Sequence, residues 1–453
     1  MGAGTAQRGA CLLISGKVRK NMEFVVFAGV LLLLFIFMIV QELIQTKNQE
    51  KLFKKYLREN YGKEPPKEYS LERFARLGSY LERHKEEKQL DDITWNDLGM
   101  DEVFRRIDRT YSAAGEEYLY YTLRNISCGR EALEHLEEVV NWLQEQENIK
   151  VRIQLLMKRL GHLGKYSLYD YLDNLDYLGE RSNRKIVLGN LLYLPFLLLL
   201  FVQPAMGTIG IVLCMLWHIM TYFREKKVIE PYIISFAYVL RLIDVCEELE
   251  KQKIPVYRRE LDELREALKS LRELRRGAYW VMAGNQGKIG GNPLDILADY
   301  LRMILHLDIF QFNRMLEKLR KKTGQVETML AITGYLDMAI SVGGFRKSLE
   351  GYCIPKLEED TEKAFLHMKK GWHPLLSQPV KNSIRADRGI LLTGSNASGK
   401  STFLKMVAVN AVLAQTIHTC AAESYHAPIF QIFSSMALRD DLLAGESYYI
   451  VET

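Results

Sequence analysis

Uncharged apolar runs alternate along this chain with stretches in which charged and apolar positions interleave at helical spacing. The first run, Phe24 to Val40 (FVVFAGVLLLLFIFMIV), has Lys17, Arg19 and Lys20 before it and Glu42 after it. Its length suffices to cross a bilayer. A cleaved signal peptide fits less well, because the run exceeds a usual apolar core and QELIQTK behind it offers no small-x-small cleavage site. The pattern therefore predicts an N-terminal tail over 1–21 and a transmembrane helix over 22–41. The second block, Ile186 to Phe223, is broken at Gln203, Pro204 and Gly207 and predicts a transmembrane helical hairpin over 186–223. Arg181, Arg184 and Lys185 precede it and Arg224, Lys226 and Lys227 follow it, which places both flanks on the cytoplasmic side. A buried helical pair in a soluble core is the competing reading, and the block's length and basic flanks weigh against it. A hairpin returns the chain to its own side, so the soluble parts are expected together in the cytoplasm of a cell-membrane protein. A nucleotide loop further on needs cytosolic ATP, which puts the short N-terminus outside.

Residues 42–185 alternate charged and apolar residues as helices do, with Pro65 and Pro66 as the main break. After the hairpin, Leu261, Leu264, Leu268, Leu271 and Leu274 form one packing stripe between Pro255 and Gly277. A second stretch, Pro293 to Lys322, follows the loop GNQGKIGGN and is expected to pair antiparallel with the first. Composition changes this picture little: among 453 residues, 61 Lys and Arg face 56 Asp and Glu, a balance that names no partner. The six cysteines lie far apart, without a CxxC pair, and read as reduced thiols with no zinc site. Basic clusters at Arg272, Arg275 and Arg276, and at Lys318, Arg320, Lys321 and Lys322, read first as solvated helix ends. A DNA contact there stays open.

Chemistry enters at GILLTGSNASGKSTFLK, residues 389–405, which satisfies G-x-x-x-x-G-K-[ST] between a predicted strand, Ile390 to Thr393, and a predicted helix, Ser401 to about Gln415. Across Gly394, Ser395, Asn396, Ala397, Ser398 and Gly399 the backbone can wrap so that successive N–H groups point at phosphate oxygens. Lys400 would reach the β- and γ-phosphates, and Ser401 would give its hydroxyl to Mg²⁺. ATP and magnesium are the expected ligands. The loop alone also suits transporter-type and chromosome-structural ATPases.

The flanks decide between these. GWHPLL (Gly371 to Leu376) and VKN (Val380 to Asn382) stand upstream, LAQ (Leu413 to Gln415) and DDLLAGESYYIVE (Asp440 to Glu452) downstream. In this order they closely resemble the MutS family of ATPases, which carries an Arg-His-Pro motif, an Asn before the strand, Leu-Ala-Gln, and Asp-Asp-Leu before a Gly-x-Ser-Thr-Phe-x-x-Glu segment. Further back, Thr94, Asn96, Leu98, Thr110 and Gly115 occupy places similar to the start of that family's core domain, and GYLDMAISV (Gly334 to Val342) is similar to the base of its lever helices. The resemblance implies that Thr402 joins the loop in cradling triphosphate and that His373 and Pro374 lie near the adenine. It also implies that Gly445 and Ser447 serve the nucleotide of a partner subunit, making a homodimer with composite sites. DNA binding of the mismatch-repair type is implied in the same way. Against that, no mismatch-reading domain with a Phe-x-Glu element is present, and membrane spans stand where the family carries its DNA clamp. Tyr448 and Tyr449 replace Thr-Phe, and Ala397 and Ser398 replace Met-Gly. No apolar strand ending in Asp-Glu follows the loop before Thr453, so the catalytic acids are unassigned; a truncated reading frame with weak or no hydrolysis is expected.

The expected fold is mixed: a mainly α-helical core (42–185) and lever-like region (224–350) with transmembrane helices, then a partial α/β P-loop NTPase domain of MutS/ABC-like type (351–453). The expected function is a membrane-anchored, ATP-binding MutS-like switch; a membrane-tethered DNA-binding protein or a non-hydrolysing nucleotide binder is the alternative. A transporter ATPase is disfavoured, since three spans are few, no charge lines the hairpin and a Leu-Ser-Gly-Gly-Gln signature is absent.

Overall fold

The computed structural model describes residues 37, 40, 41, 44–64, 69, 71–86, 88–126, 129–163, 167–275, 300–359, 364–395 and 398–436. The span expected over 22–41 lies outside these, except residues 37, 40 and 41, which are helical. Pro65, Pro66, Asn396, Ala397, Gly445 and Ser447 also lie outside them. The chain divides into two units, 1–61 and 62–453. In the first, residues 44–60 form one helix, α1.

The second unit is mostly helical, with one small mixed sheet. It opens with α2 (Leu71–Arg83), α3 (Asp92–Leu98), α4 (Met100–Ile107), α5 (Ala113–Arg124), α6 (Gly129–Glu145), α7 (Glu147–Leu160) and α8 (Leu168–Asp173). Short polar side chains start several of these by occupying first-turn N–H groups. Asp91 accepts from the Thr94 N–H at 2.8 Å, Ser112 accepts from the Gly115 N–H at 3.1 Å, and Ser167 forms a capping box with Asp170. Trp95, Phe104, Leu119 and Leu123 fill the core between them.

The hairpin follows as α9 (Arg184–Leu191), α10 (Tyr193–Val202) and α11 (Pro204–Glu250). Its break falls at Gln203, because Pro204 needs no amide partner at the first position of a helix. Two glycines let the arms touch: a Cβ on Gly207 would stand 2.6 Å from the Leu200 nitrogen, and one on Gly210 would enter the Phe196 ring. The second arm does not end near Phe223. It runs on past Pro231 to Glu250, since Ile229, Ile233, Phe236, Leu240 and Ile243 continue the helical stripe and bury it in the soluble core. Helices Arg184–Val202 and Pro204–Glu250 are long and apolar enough to cross a membrane, and Leu198, Phe201, Val202, Leu213 and Met220 stand exposed on them. Thr323–Ser348 passes the same length and composition test but is largely buried inside the protein.

The leucine stripe forms α12 (Arg258–Leu271), with Leu261, Leu264, Leu268, Leu271 and Leu274 all buried. Its main partners differ from the expected one. It packs against α15 (Thr323–Ser348) and the lower part of α11, whereas α14 (Leu307–Arg320) meets the 3-10 turn Arg272–Arg275. The reason lies before α14, where helical residues 300–305 (α13) end at His306, held in the left-handed region at φ 54°. This break divides the expected 293–322 helix and directs its second half elsewhere.

The C-terminal part carries β1 (Lys356–Glu358), β2 (Leu366–Gly371), β3 (Asn382–Ala386), α16 (Lys400–Ile417) and β4 (Ser424–Pro428). The sheet order is β1-β4-β2-β3, with β1 parallel to β4 and the remaining pairs antiparallel. The strand expected over Ile390 to Thr393 is not formed. Leu391 is 88% exposed, and no described strand pairs with the segment, so its apolar run lacks the neighbours that would bury a central parallel strand.

Candidate nucleotide-binding site

The glycine-bracketed loop turns directly into α16. Gly399 sits at φ 87°, a conformation side chains rarely adopt, and this left-handed step launches the helix at Lys400. Gly394 closes the other end: a Cβ there would stand 2.9 Å from the Ser398 hydroxyl. Ser398 N–H donates to the Ser395 carbonyl at 3.3 Å and Phe403 N–H donates to the Gly399 carbonyl at 2.9 Å. The first N–H groups of any helix lack an intrahelical partner, and they carry the positive end of the helix dipole. Lys400 folds over the loop, its ammonium donating to the Gly394 and Ser395 carbonyls at 2.8 and 2.6 Å. Ser401 and Thr402 are exposed in the same turn. This set of backbone donors, one ammonium and two hydroxyls fits a polyphosphate chain, with the Ser401 hydroxyl available to a magnesium ion. Among the described residues no group of three or more His, Cys, Asp or Glu forms a metal site.

His373 and Pro374 are buried beside the same helix. Burial, then the charge of Lys405, lowers the His373 pKa. Its place is fixed by Asn410 of α16, whose amide donates to the Trp372 carbonyl at 3.0 Å and accepts from the Ala421 N–H at 2.7 Å. Gln415 clamps the segment after β4, donating to the Phe430 carbonyl and accepting from the Phe430 N–H, both at 2.9 Å.

The far end of α16 is tied to the helical core. Arg346, near the end of α15 and 1% exposed, donates to both carboxylate oxygens of Glu137 on α6 at 3.0 and 2.7 Å. The same guanidinium bonds the Thr419 hydroxyl at 2.8 Å and the His418 carbonyl at 3.0 Å, where α16 ends. Burial would raise the Glu137 pKa, but His418, at 3.4 Å, and Arg346 together hold it at about 2. Midway along its length α15 is tied to the start of α5. The Asp337 carboxylate, itself buried, accepts from the Tyr111 and Ser112 N–H groups and from the Ser112 hydroxyl at 2.6 Å. Gly115 must be glycine there, because a Cβ would stand 2.4 Å from an Asp337 oxygen. Thr94 makes a third tie: its hydroxyl accepts from the Ser434 N–H at 3.0 Å, beside Asp97, which accepts from the Met436 N–H at 2.6 Å. Thr110 bonds Asp108 within its own turn.

Residues 390–453 match the family described as MutS domain V. Over 147 residues, 30% of this chain, the sequence is 33% identical to the DNA mismatch repair protein MutS of Listeria monocytogenes serotype 4a (strain HCC23), of which that stretch covers 16%. The C-terminal part of the chain is thus similar to proteins of the MutS family. The probable DNA mismatch repair protein Msh6 of Drosophila melanogaster is 29% identical over 147 residues, covering 31% of this chain and 12% of that protein. MutS of Acholeplasma laidlawii (strain PG-8A) is 33% identical over 147 residues. The chain spans about a sixth of the length of the MutS relatives it matches. Beside this MutS-like part, Asn410, Arg346 and Asp97 were not singled out from the sequence. Asn410 stands out as the polar residue in MVAVNAVLA, but the signal for Arg346 is only its position at the end of an apolar helix.

Proposed function

We propose that this chain is a membrane-anchored, ATP-binding switch of the MutS type. The observation that carries the reading is one helix with two engaged ends. Its N-terminus presents the phosphate loop, and its C-terminus is bonded through Arg346 to α15 and α6. Gly394, Ser395, Asn396, Ala397, Ser398, Gly399, Lys400 and Thr402 hold the triphosphate, Ser401 holds magnesium, and His373 and Pro374 flank the base. On binding, Lys400 exchanges its two loop carbonyls for phosphate oxygens, which frees the loop to close. The rigid α16 passes that change to Arg346, and α15 carries it to Asp337 and the helical core.

Anchoring rests on the exposed apolar hairpin, with its basic flanks on the cytoplasmic side. Assembly as a homodimer through the nucleotide domain, with Gly445 and Ser447 serving the partner's site, extends the MutS likeness. The test is binding of a fluorescent ATP analogue with magnesium to the full chain. Lys400→Ala should weaken binding at least tenfold, and unchanged affinity would sink the reading. Tethered DNA binding is the second reading, on the basic end of α14. Two of its cations are already occupied: Arg320 donates to the Leu175 and Gly179 carbonyls and Lys322 to the Ser270 carbonyl. DNA affinity that falls steeply with salt would support this reading, and a flat salt response would exclude it.

A further inference from the structure

At the base of the hairpin, where α9 and α11 meet the His306 break, lies a cavity of about 590 Å³. Three cations, Arg181, Lys185 and Arg224, and two carboxylates, Glu180 and Glu225, leave its rim net cationic, and Leu188, Leu192 and Trp217 give it an apolar wall. Arg181 is held by Glu225 at 3.1 Å. The cavity floor is more specific than its rim. His218 is 1% exposed and His306 5% exposed, and their rings meet edge to face at 5.1 Å. The His218 Nδ1 lies 2.8 Å from the Ile304 carbonyl, which can only accept, so Nδ1 carries the proton. With the proton on Nδ1, Nε2 is the ring's acceptor, and it has no hydrogen-bond partner among the described residues. Gly189 leaves room beside it, since a Cβ there would stand 3.3 Å from Nε2. The His306 Nδ1 is likewise buried with no hydrogen-bond partner among the described residues, while its Nε2 lies 3.3 Å from the Thr221 hydroxyl. Burial, then His218, holds the His306 pKa down at about 4.

A buried unpaired acceptor is costly unless something supplies a donor. A cationic rim, an apolar wall continuous with the hairpin and an acceptor in the floor together describe one amphiphile. We propose that this cavity binds the headgroup of an anionic phospholipid bearing hydroxyl groups, with its phosphate on Lys185 and Arg224, a hydroxyl on His218 and its acyl chains along α9 and α11. Basic pockets at the cytoplasmic ends of membrane helices suit such headgroups. This inference rests on the membrane reading of the hairpin. It makes the hairpin a lipid-reading element: α11, which lines the cavity, continues into the core and packs against α15.

The experiment is native mass spectrometry of the full chain in detergent, titrated separately with phosphatidylglycerol, phosphatidylcholine and soluble glycerol phosphate. Phosphatidylglycerol should bind at least tenfold tighter than phosphatidylcholine, and glycerol phosphate should not bind at the same concentrations. Neutralising both cations, K185Q with R224Q, should weaken phosphatidylglycerol about thirtyfold, while K185R with R224K retains it. Equal binding of the two lipids, glycerol phosphate binding as tightly as the lipid, or no loss in the neutralised variant would overturn the proposal. Should the neutralised variant fail to fold, the lipid and glycerol phosphate comparisons on the unaltered chain decide alone. Alkaline carbonate extraction separates the two readings. Release of the chain from membranes would refute the anchor and the lipid site together, whereas retention with equal lipid binding would refute the lipid site alone.

Discussion

Arg346→Met is the most informative single change in the joint between the nucleotide segment and the helical core. The guanidinium makes two bonds to Glu137, one to the Thr419 hydroxyl and others to carbonyls at the end of α16, and methionine keeps the stem while removing all of them. Stranding a buried carboxylate costs about 3–5 kcal/mol. Glu137 keeps the Asn141 amide at 2.9 Å and His418 at 3.4 Å, and its side chain is 18% exposed, so it is only partly stranded and the lower end of that range, about 3 kcal/mol, is expected in total. Urea unfolding of the full chain in detergent, followed by circular dichroism, measures it. Adding Glu137→Gln to Arg346→Met should return about 1.5 kcal/mol or more, because the stranded charge is gone. A loss below about 1 kcal/mol for Arg346→Met, or strict additivity in the double-mutant cycle, would refute the claim that this pair couples α15, α6 and α16.

Other outcomes follow from the same geometry. Asp337→Ala removes the oxygen that accepts from the Tyr111 and Ser112 N–H groups and the Ser112 hydroxyl and should cost about 2–3 kcal/mol, read as a lowered thermal midpoint. Glu117 is buried, and desolvation raises its pKa from 4.5 to about 8 against the Ser167 hydroxyl bond and Arg76. A raised carboxyl pKa gives stability that is full below pH 4.5 and lost as pH rises toward about 8, so Glu117→Gln should flatten that slope and stabilise the chain by about 2–4 kcal/mol at pH 8. Glu137 has the opposite sign: its depressed pKa gives stability present above 4.5 and lost as pH falls toward about 2, and E137Q should remove that acid-side component. Gln415→Ala should free the segment around Phe430 at a cost of about 1–2 kcal/mol, detected as faster proteolysis there.

Local features were legible from the sequence where local physics decides them. The hairpin breaks at Gln203 because Pro204 prefers a helix start, and the leucine stripe is buried as its spacing requires. The loop does end in a helix. The strand over Ile390 to Thr393 was misread because an apolar run becomes a strand only with partners beside it. Helix was expected beyond residue 224, but its continuity with the hairpin arm was not, because the apolar block was ended at its first basic residues while the helical stripe continued beneath them. Pairing of α12 was misassigned for want of any sign that His306 would adopt a left-handed conformation. Long-range joints such as Arg346 with Glu137, 209 positions apart, leave no periodic trace. Thr94, Gly115 and Asp337, singled out only through resemblance, lie at such joints, which gives their residue types a physical reason.

Hydrogen exchange of the full chain with and without ATP and magnesium tests the switch most directly. The account predicts slowed exchange at residues 394–403 and a second, connected change around Asn410 to Ala421 and at the end of α15, both abolished by Lys400→Ala. No change at saturating ATP, or protection confined to the loop, would contradict it.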